Sequence, residues 1–137
     1  MIKIYIPLRP VAKGRPRFGK NNHVYTPDKT KNYESSVGLL VKNAIQNAQS
    51  KIEIDKPLTV DLTFSFKPPE SWVNSKRLEA TSGLTKHITV PDLDNLIKAV
   101  LDALNGIAYN DDKQIVELKA KKIYAAEDSV NITIEYL

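Results

Sequence analysis

VPDLDNLIKAVLDALNG, residues 90–106, opens with two aspartates one residue apart, continues with apolar residues at helical spacing and stops at a glycine. With Asp94 set at 0° and an advance of about 100° per residue, Lys98 falls at about 40° and Asp102 at about 80°. Leu96, Ile97, Val100, Leu101 and Leu104 fall between about 200° and 340°, on the opposite side. The stretch predicts an amphipathic helix over about Asn95–Leu104, with one face for a core and a charged stripe left outside. Val90 and Pro91 favour extended chain ahead of it, so Asp92 can point the same way as Asp94 and Lys98.

Working outward, Leu58, Val60, Leu62, Phe64 and Phe66 alternate with Thr59, Asp61, Thr63 and Ser65, the clearest strand in the chain. Ile2, Ile4, Ile6 and Leu8 alternate in the same way, with Pro7 marking an edge or a strand end. Tyr33, Val37, Leu40, Val41, Ala44, Ile45 and Ala48 recur at helical spacing and predict a first long helix from Thr30 to about Gln49. Two strands are expected near Gln114–Tyr124 and Val130–Leu137, joined through a tight turn at AEDS. Residues 9–29 hold three prolines and two glycines without periodicity and read as an excursion or extended hairpin, while 68–89 form a polar connection with a short helix near Asn74–Ala80. The fold class expected is α+β: one mixed sheet of about four strands in a single layer, with two main helices packed on one face, in one domain spanning 1–137.

Composition narrows the chemistry. With no cysteine among 137 residues, a disulfide framework, a thiolate metal site and a cysteine nucleophile are all excluded. No glycine-rich phosphate loop or serine nucleophile elbow occurs. The amino terminus lacks the apolar run of a signal peptide, and no window approaches a membrane span, so the expectation is a soluble, cytoplasmic protein without a membrane partner or organic cofactor. The net charge of +4 is unevenly distributed. Residues 1–31 carry eight basic side chains (Lys3, Arg9, Lys13, Arg15, Arg17, Lys20, Lys29, Lys31) against Asp28 alone, and residues 92–112 carry five aspartates (92, 94, 102, 111, 112) against Lys98. Acidic clustering inside a basic chain suits a metal-dependent enzyme acting on a polyanion, because cations bind phosphates and carboxylates bind the metal.

Helix capping and an i,i+4 pair explain Asp94 and Lys98. They leave Asp92 without a role, and they do not touch Asp111 and Asp112, which follow the end of the helix at Asn105-Gly106. Carboxylates brought together repel one another unless a cation neutralises them, and hard oxygen donors favour Mg²⁺ or Mn²⁺ over zinc. Spacing alone is compatible both with a metal site and with capping plus solvated charge, because Asp112 must return along a helix about 15 Å long to reach Asp94.

PDLDNLIKAVLDALNG followed by NDDKQI resembles the core motif of the RusA family of Holliday junction resolvases, endodeoxyribonucleases common in bacteria and their prophages. KGRPRF, YTP and KNYE (13–18, 25–27 and 31–34) are similar to the amino-terminal half of that family, so the resemblance runs from about Ile4 to the last strand. It implies an α+β homodimer that binds four-way DNA junctions and cuts two strands symmetrically with Mg²⁺, or with Mn²⁺ as a substitute, in recombination and repair. Asp92, Asp94 and Asp112 match the family's catalytic, metal-binding carboxylates, Lys98 matches its lysine, and Asp111 and Asp102 match supporting acidic positions. The chemistry implied is phosphodiester hydrolysis by a metal-activated water, leaving a 5′-phosphate, with Lys98 stabilising charge on the phosphate or hydroxide.

Lys13, Arg15, Arg17, Lys20, Lys29 and Lys31 are expected to contact the DNA backbone, contributing affinity and salt dependence rather than sequence preference. Phe18 and Tyr25 are either base-stacking groups or loop anchors, with anchoring favoured for Tyr25. Trp72 receives no role, and the isolated His23 and His87 read as surface or packing residues. Two rivals carry the same residues: a junction-binding protein that does not cut, and a different Mg²⁺-dependent flap or fork nuclease or phosphohydrolase.

Overall fold

A computed structural model describes residues 1–14, 17–20, 23–25 and 27–137. Four strands, β1 (Ile2–Ile6), β4 (Leu58–Phe66), β5 (Ile115–Tyr124) and β6 (Ser129–Tyr136), form one sheet in the order β1-β6-β4-β5. Two short strands, β2 (Arg17–Phe18) and β3 (Val24–Tyr25), pair as a small antiparallel hairpin inside the expected excursion. Three helices complete the fold: α1 (Asp28–Asn47), α2 (Asn74–Thr81) and α3 (Leu93–Leu104). The α+β class with a mixed sheet is as the periodicity predicts: β1·β6 and β6·β4 are antiparallel and β4·β5 is parallel.

Alternation decides which face of the sheet is covered. Ile2, Ile4 and Ile6 of β1, which packs against α1, are buried in the core, as are Leu58, Val60, Leu62 and Phe64 of β4 and Val130, Ile132 and Ile134 of β6, while Lys3, Tyr5, Asp61, Asn131 and Glu135 are exposed. α1 and α3 lie together on the apolar face. They approach closely because small residues meet: a Cβ at Gly38 would stand 3.1 Å from Ile107 Cδ1 and 3.4 Å from the Ala103 carbonyl. The face of α3 that reaches the core is therefore Leu96, Ala99, Val100, Ala103 and Leu104, and Ile97 and Leu101 are left half-buried at its margin.

The AEDS link is short but does not join two paired strands. β6 crosses the end of β4 and lies on its far side, because Ala125 N–H donates to the Phe66 carbonyl (2.9 Å) and Asp128 accepts from the Lys67 N–H (2.8 Å). β5 is thus an edge strand, paired on one side only, with Val116 and Leu118 63% and 40% exposed. No helix among the described residues is long and apolar enough to cross a membrane.

Candidate active site

α3 begins at Leu93, two residues earlier than its apolar stripe predicts, and the N-cap is Asp92 in extended conformation rather than Asp94. The Asp92 backbone carbonyl accepts the first helical bond from Leu96 N–H (3.1 Å), yet its carboxylate makes no cap hydrogen bond. Capping by a side chain therefore accounts for neither aspartate. Asp94 sits in the first turn with Lys98 one turn on, and Asp92, Asp94 and Lys98 are all exposed. The ion pairs of the described residues are Arg9–Asp128, Lys13–Glu34, Lys13–Asp102 and Lys56–Glu53, so the expected Asp94–Lys98 pair does not form. Two carboxylates and an ammonium stand at one end of a helix, directed to solvent and available to a ligand.

The segment carrying Asp92 is tied down from below. Lys122, on the covered face of β5, donates its ammonium to the carbonyls of Thr89 (2.6 Å) and Pro91 (2.9 Å). Nothing in the sequence pattern singles out this residue, because a lysine in an edge strand normally marks a solvated position. Its role appears only when the 89–91 segment is laid over β5.

Asp111 and Asp112 belong to the other end of α3. Asn105-Gly106 closes the helix, Tyr109 is fully buried with its hydroxyl on the Leu101 carbonyl (2.7 Å), and a 3₁₀ turn follows over Asp112–Gln114. Asp111 caps that turn by accepting from Lys113 N–H (3.0 Å). The buried Gln114 side chain fixes it in place, accepting from Asn110 and Asp111 N–H and donating to the carbonyls of Glu53 and Lys56. The Lys113 N–H and then the hydrogen bond with Asp112 push the Asp111 pKa down. That shared bond, followed by slight burial and the charges of Asp111 and Asp102, pushes Asp112 up. Burial, followed by the same three carboxylates, raises the Tyr109 pKa.

The two acidic groups do not meet within one chain. α3 is twelve residues, about 18 Å of rise, and β5 runs back beside it from Ile115 at the Asp112 end to Lys122 beneath Pro91. Among the described residues no three carboxylate or imidazole side chains gather closely enough to hold one metal ion. The donors themselves are hard oxygens suited to Mg²⁺ or Mn²⁺, but a single chain presents them as two separate halves.

The basic residues divide as well. Lys13 is turned inward, its ammonium on Glu34 (2.5 Å) and Asp102 (3.0 Å) and its backbone N–H on the Asn95 carbonyl (2.9 Å). Burial alone would lower its pKa, and the two carboxylates outweigh that and hold it above the ordinary lysine value. Lys13 and Asp102 thus lock the loop onto α1 and α3. Gly14 continues the docking: its N–H bonds to Thr30 Oγ1 (2.9 Å), and an added Cβ would collide there. Lys20, Lys29 and Lys31 are exposed, whereas Arg15 and the side chains of Arg17 and Tyr25 lie outside the described residues. Phe18 is 75% exposed at the hairpin. Trp72 packs edge-on against Tyr124 at 5.4 Å, and His87 stacks on Tyr124 at 4.6 Å, making both of them packing residues.

An uncharacterized Bacillus subtilis (strain 168) protein, YqaN, is similar to the chain, 38% identical over 138 residues that span 97% of this chain and 94% of the relative. A family model described as Endodeoxyribonuclease RusA matches residues 7–135, which takes in both acidic groups, Lys98 and the basic loop. The chain belongs to the RusA endodeoxyribonuclease family.

Proposed function

We propose that this protein is a Mg²⁺-dependent, structure-specific endodeoxyribonuclease that binds four-way DNA junctions as a homodimer and resolves them by paired symmetric cuts. Asp92, Asp94 and Asp112 hold the metal, for which Mn²⁺ can substitute, and Lys98 supports the reacting phosphate. The observation that carries the reading is the exposed Asp92–Asp94–Lys98 group at the start of α3 in a chain matched from 7 to 135 by an endodeoxyribonuclease family. A bound divalent ion would supply charge neutralisation at the phosphodiester and would acidify a water so that it can lose the proton in-line attack requires. The side chains orient that chemistry, with Lys98 placing a donor where negative charge develops and Asp111 and Asp102 keeping Asp112 and Lys13 in position.

The separation of the two acidic groups supports the dimer. A two-fold axis crossing α3 and the unpaired edge of β5 would set the Asp112 end of one copy beside the Asp92 end of the other, twice over. That edge carries Val116 and Leu118 exposed, with Ile97 and Leu101 half-buried alongside, an apolar seam suited to a second copy of the chain. A four-way junction has matching two-fold symmetry, so two equivalent sites would cut two strands of like polarity.

The test is a cleavage panel of four-way junction, flap, fork, duplex and free nucleotide substrates in Mg²⁺, with wild type, Asp92→Asn and Asp94→Asn. Preferential junction cutting that both substitutions abolish is expected. Wild-type rates from either variant would sink the site assignment; preference for a flap, a fork or a nucleotide would sink the substrate assignment. Tight junction binding with no product in any divalent ion would point to a binding protein instead.

A further inference from the structure

Two cavities of about 500 and 510 Å³ adjoin on the side of the sheet end next to α3, with Arg9, Phe66 and Val90 lining both. One runs on to Lys67, His87 and Thr89, the other to Lys29, Thr30 and Pro91. We propose that they form one groove that guides a single DNA strand to Asp92, with the Arg9 guanidinium as its phosphate anchor; this rests on the endonuclease reading and adds to it the path of the substrate.

Arg9 is built for such a task. Its guanidinium lies over the Phe66 ring, 5.2 Å from the centroid, and one N–H is held by Asp128 at 3.1 Å. The same Asp128 oxygen accepts from the Lys67 N–H at 2.8 Å, so the carboxylate is itself fixed. Held on two sides, the Arg9 side chain is still 60% exposed, and a guanidinium has five donors in a planar fork. A fork of this kind, already immobilised, binds phosphate with little further loss of side-chain freedom.

The rest of the groove matches a nucleotide chain rather than a small anion. Each cavity is the size of a small-ligand site, far larger than a phosphate needs. Lys67 and Lys29 place cations to either side of Arg9, as successive phosphates require. Between them Val90, which is 81% exposed, and Pro69 and Pro91 offer apolar surface to sugars and base faces. The groove wall Thr89-Val90-Pro91 leads directly to Asp92, two residues beyond Val90. A strand seated on Arg9 is thereby delivered to the carboxylates.

The experiment measures binding by fluorescence anisotropy, in Ca²⁺ without Mg²⁺, of a four-way junction and of a short oligothymidine, across a salt titration. Arg9→Gln and Lys67→Gln should each weaken both ligands severalfold at low salt and flatten the salt dependence by roughly 0.7–0.9 in log–log slope, one phosphate contact. Lys119→Gln, on the outer face of β5, should change neither. Lys67 is exposed and gives Asp128 only its backbone N–H, so its variant keeps the test decisive if Arg9→Gln folds poorly. Unchanged slopes from a wild type that binds and cuts junctions would overturn the groove alone. A wild type that binds neither DNA would overturn the groove and the endonuclease reading together.

Discussion

Asp92→Asn protein and Asp112→Asn protein, each inactive alone, should regain strand cleavage when mixed. Asp92 is the N-cap of α3, a helix of about 18 Å, and Asp112 lies past its other end beside Asp102, so in the proposed dimer a complete carboxylate set takes one end from each of two copies. In a mixed dimer, one site then combines two substituted ends and the other combines two intact ends. Random exchange makes about half the dimers mixed, and each holds one working site of two, so about a quarter of the wild-type sites return. The product should also change in kind, to single nicks rather than paired cuts, because only one site per dimer is whole. The assay is Mg²⁺-dependent cleavage of a synthetic junction labelled on each strand in turn, with pull-down through differently tagged copies to establish that mixed dimers exist. No nicking above that of the separate variants, in a sample shown to contain mixed dimers, would refute the divided site and require Asp112 to serve its own chain.

Three further outcomes follow from the packing and the charges. Lys122→Met should slow junction cleavage on the order of tenfold while leaving binding within about twofold, since losing about 1.4 kcal/mol of restraint on the Thr89 and Pro91 carbonyls is a tenfold change in rate; unimpaired single-turnover cleavage would show that the tether is dispensable. Phe64→Ala, at a fully buried site in the central part of the sheet, should cost about 3–5 kcal/mol in urea denaturation, and a loss under about 1 kcal/mol would contradict the packing. Because the Lys13 pKa is raised in the fold, its ion pairs contribute fully below the ordinary lysine value of 10.5 and are lost as pH climbs through the higher folded value. The stability gap between wild type and Lys13→Met should therefore narrow above about pH 10.5, and a gap that widens there would reverse the assignment.

Strand and helix identities were legible because the chain alternates or repeats cleanly: β1, β4 and β6 show period two, α1 and α3 period 3.6. The class of the sheet followed from those elements. What did not follow was anything set by long-range contact. The AEDS link reads as a turn, but Asp128 is committed to Lys67 and Arg9, and that pair of bonds carries β6 past β4. Lys13 reads as a phosphate contact in a basic loop, and only the fold shows Glu34 and Asp102 closing on it. Asp92 was legible as a residue that capping does not need; that its carboxylate makes no cap bond is information of the structure. The distance from Asp92 to Asp112 was bounded from helix length, but its direction depended on β5 running parallel to β4.

The position of β6 has a consequence for how the protein comes into being. β6 is the last strand along the sequence and yet lies second in the sheet, the only neighbour of β1 among the described residues and the link between β1 and β4. A nascent chain that has not yet emerged past Ser129 has its first strand without a mate and its apolar face open, however much of α1 and α3 has formed. The sheet therefore cannot close step by step along the chain: β1 and β4 come together only through β6, so the core beneath α1 and the segment that carries Asp92 take their final form late in folding.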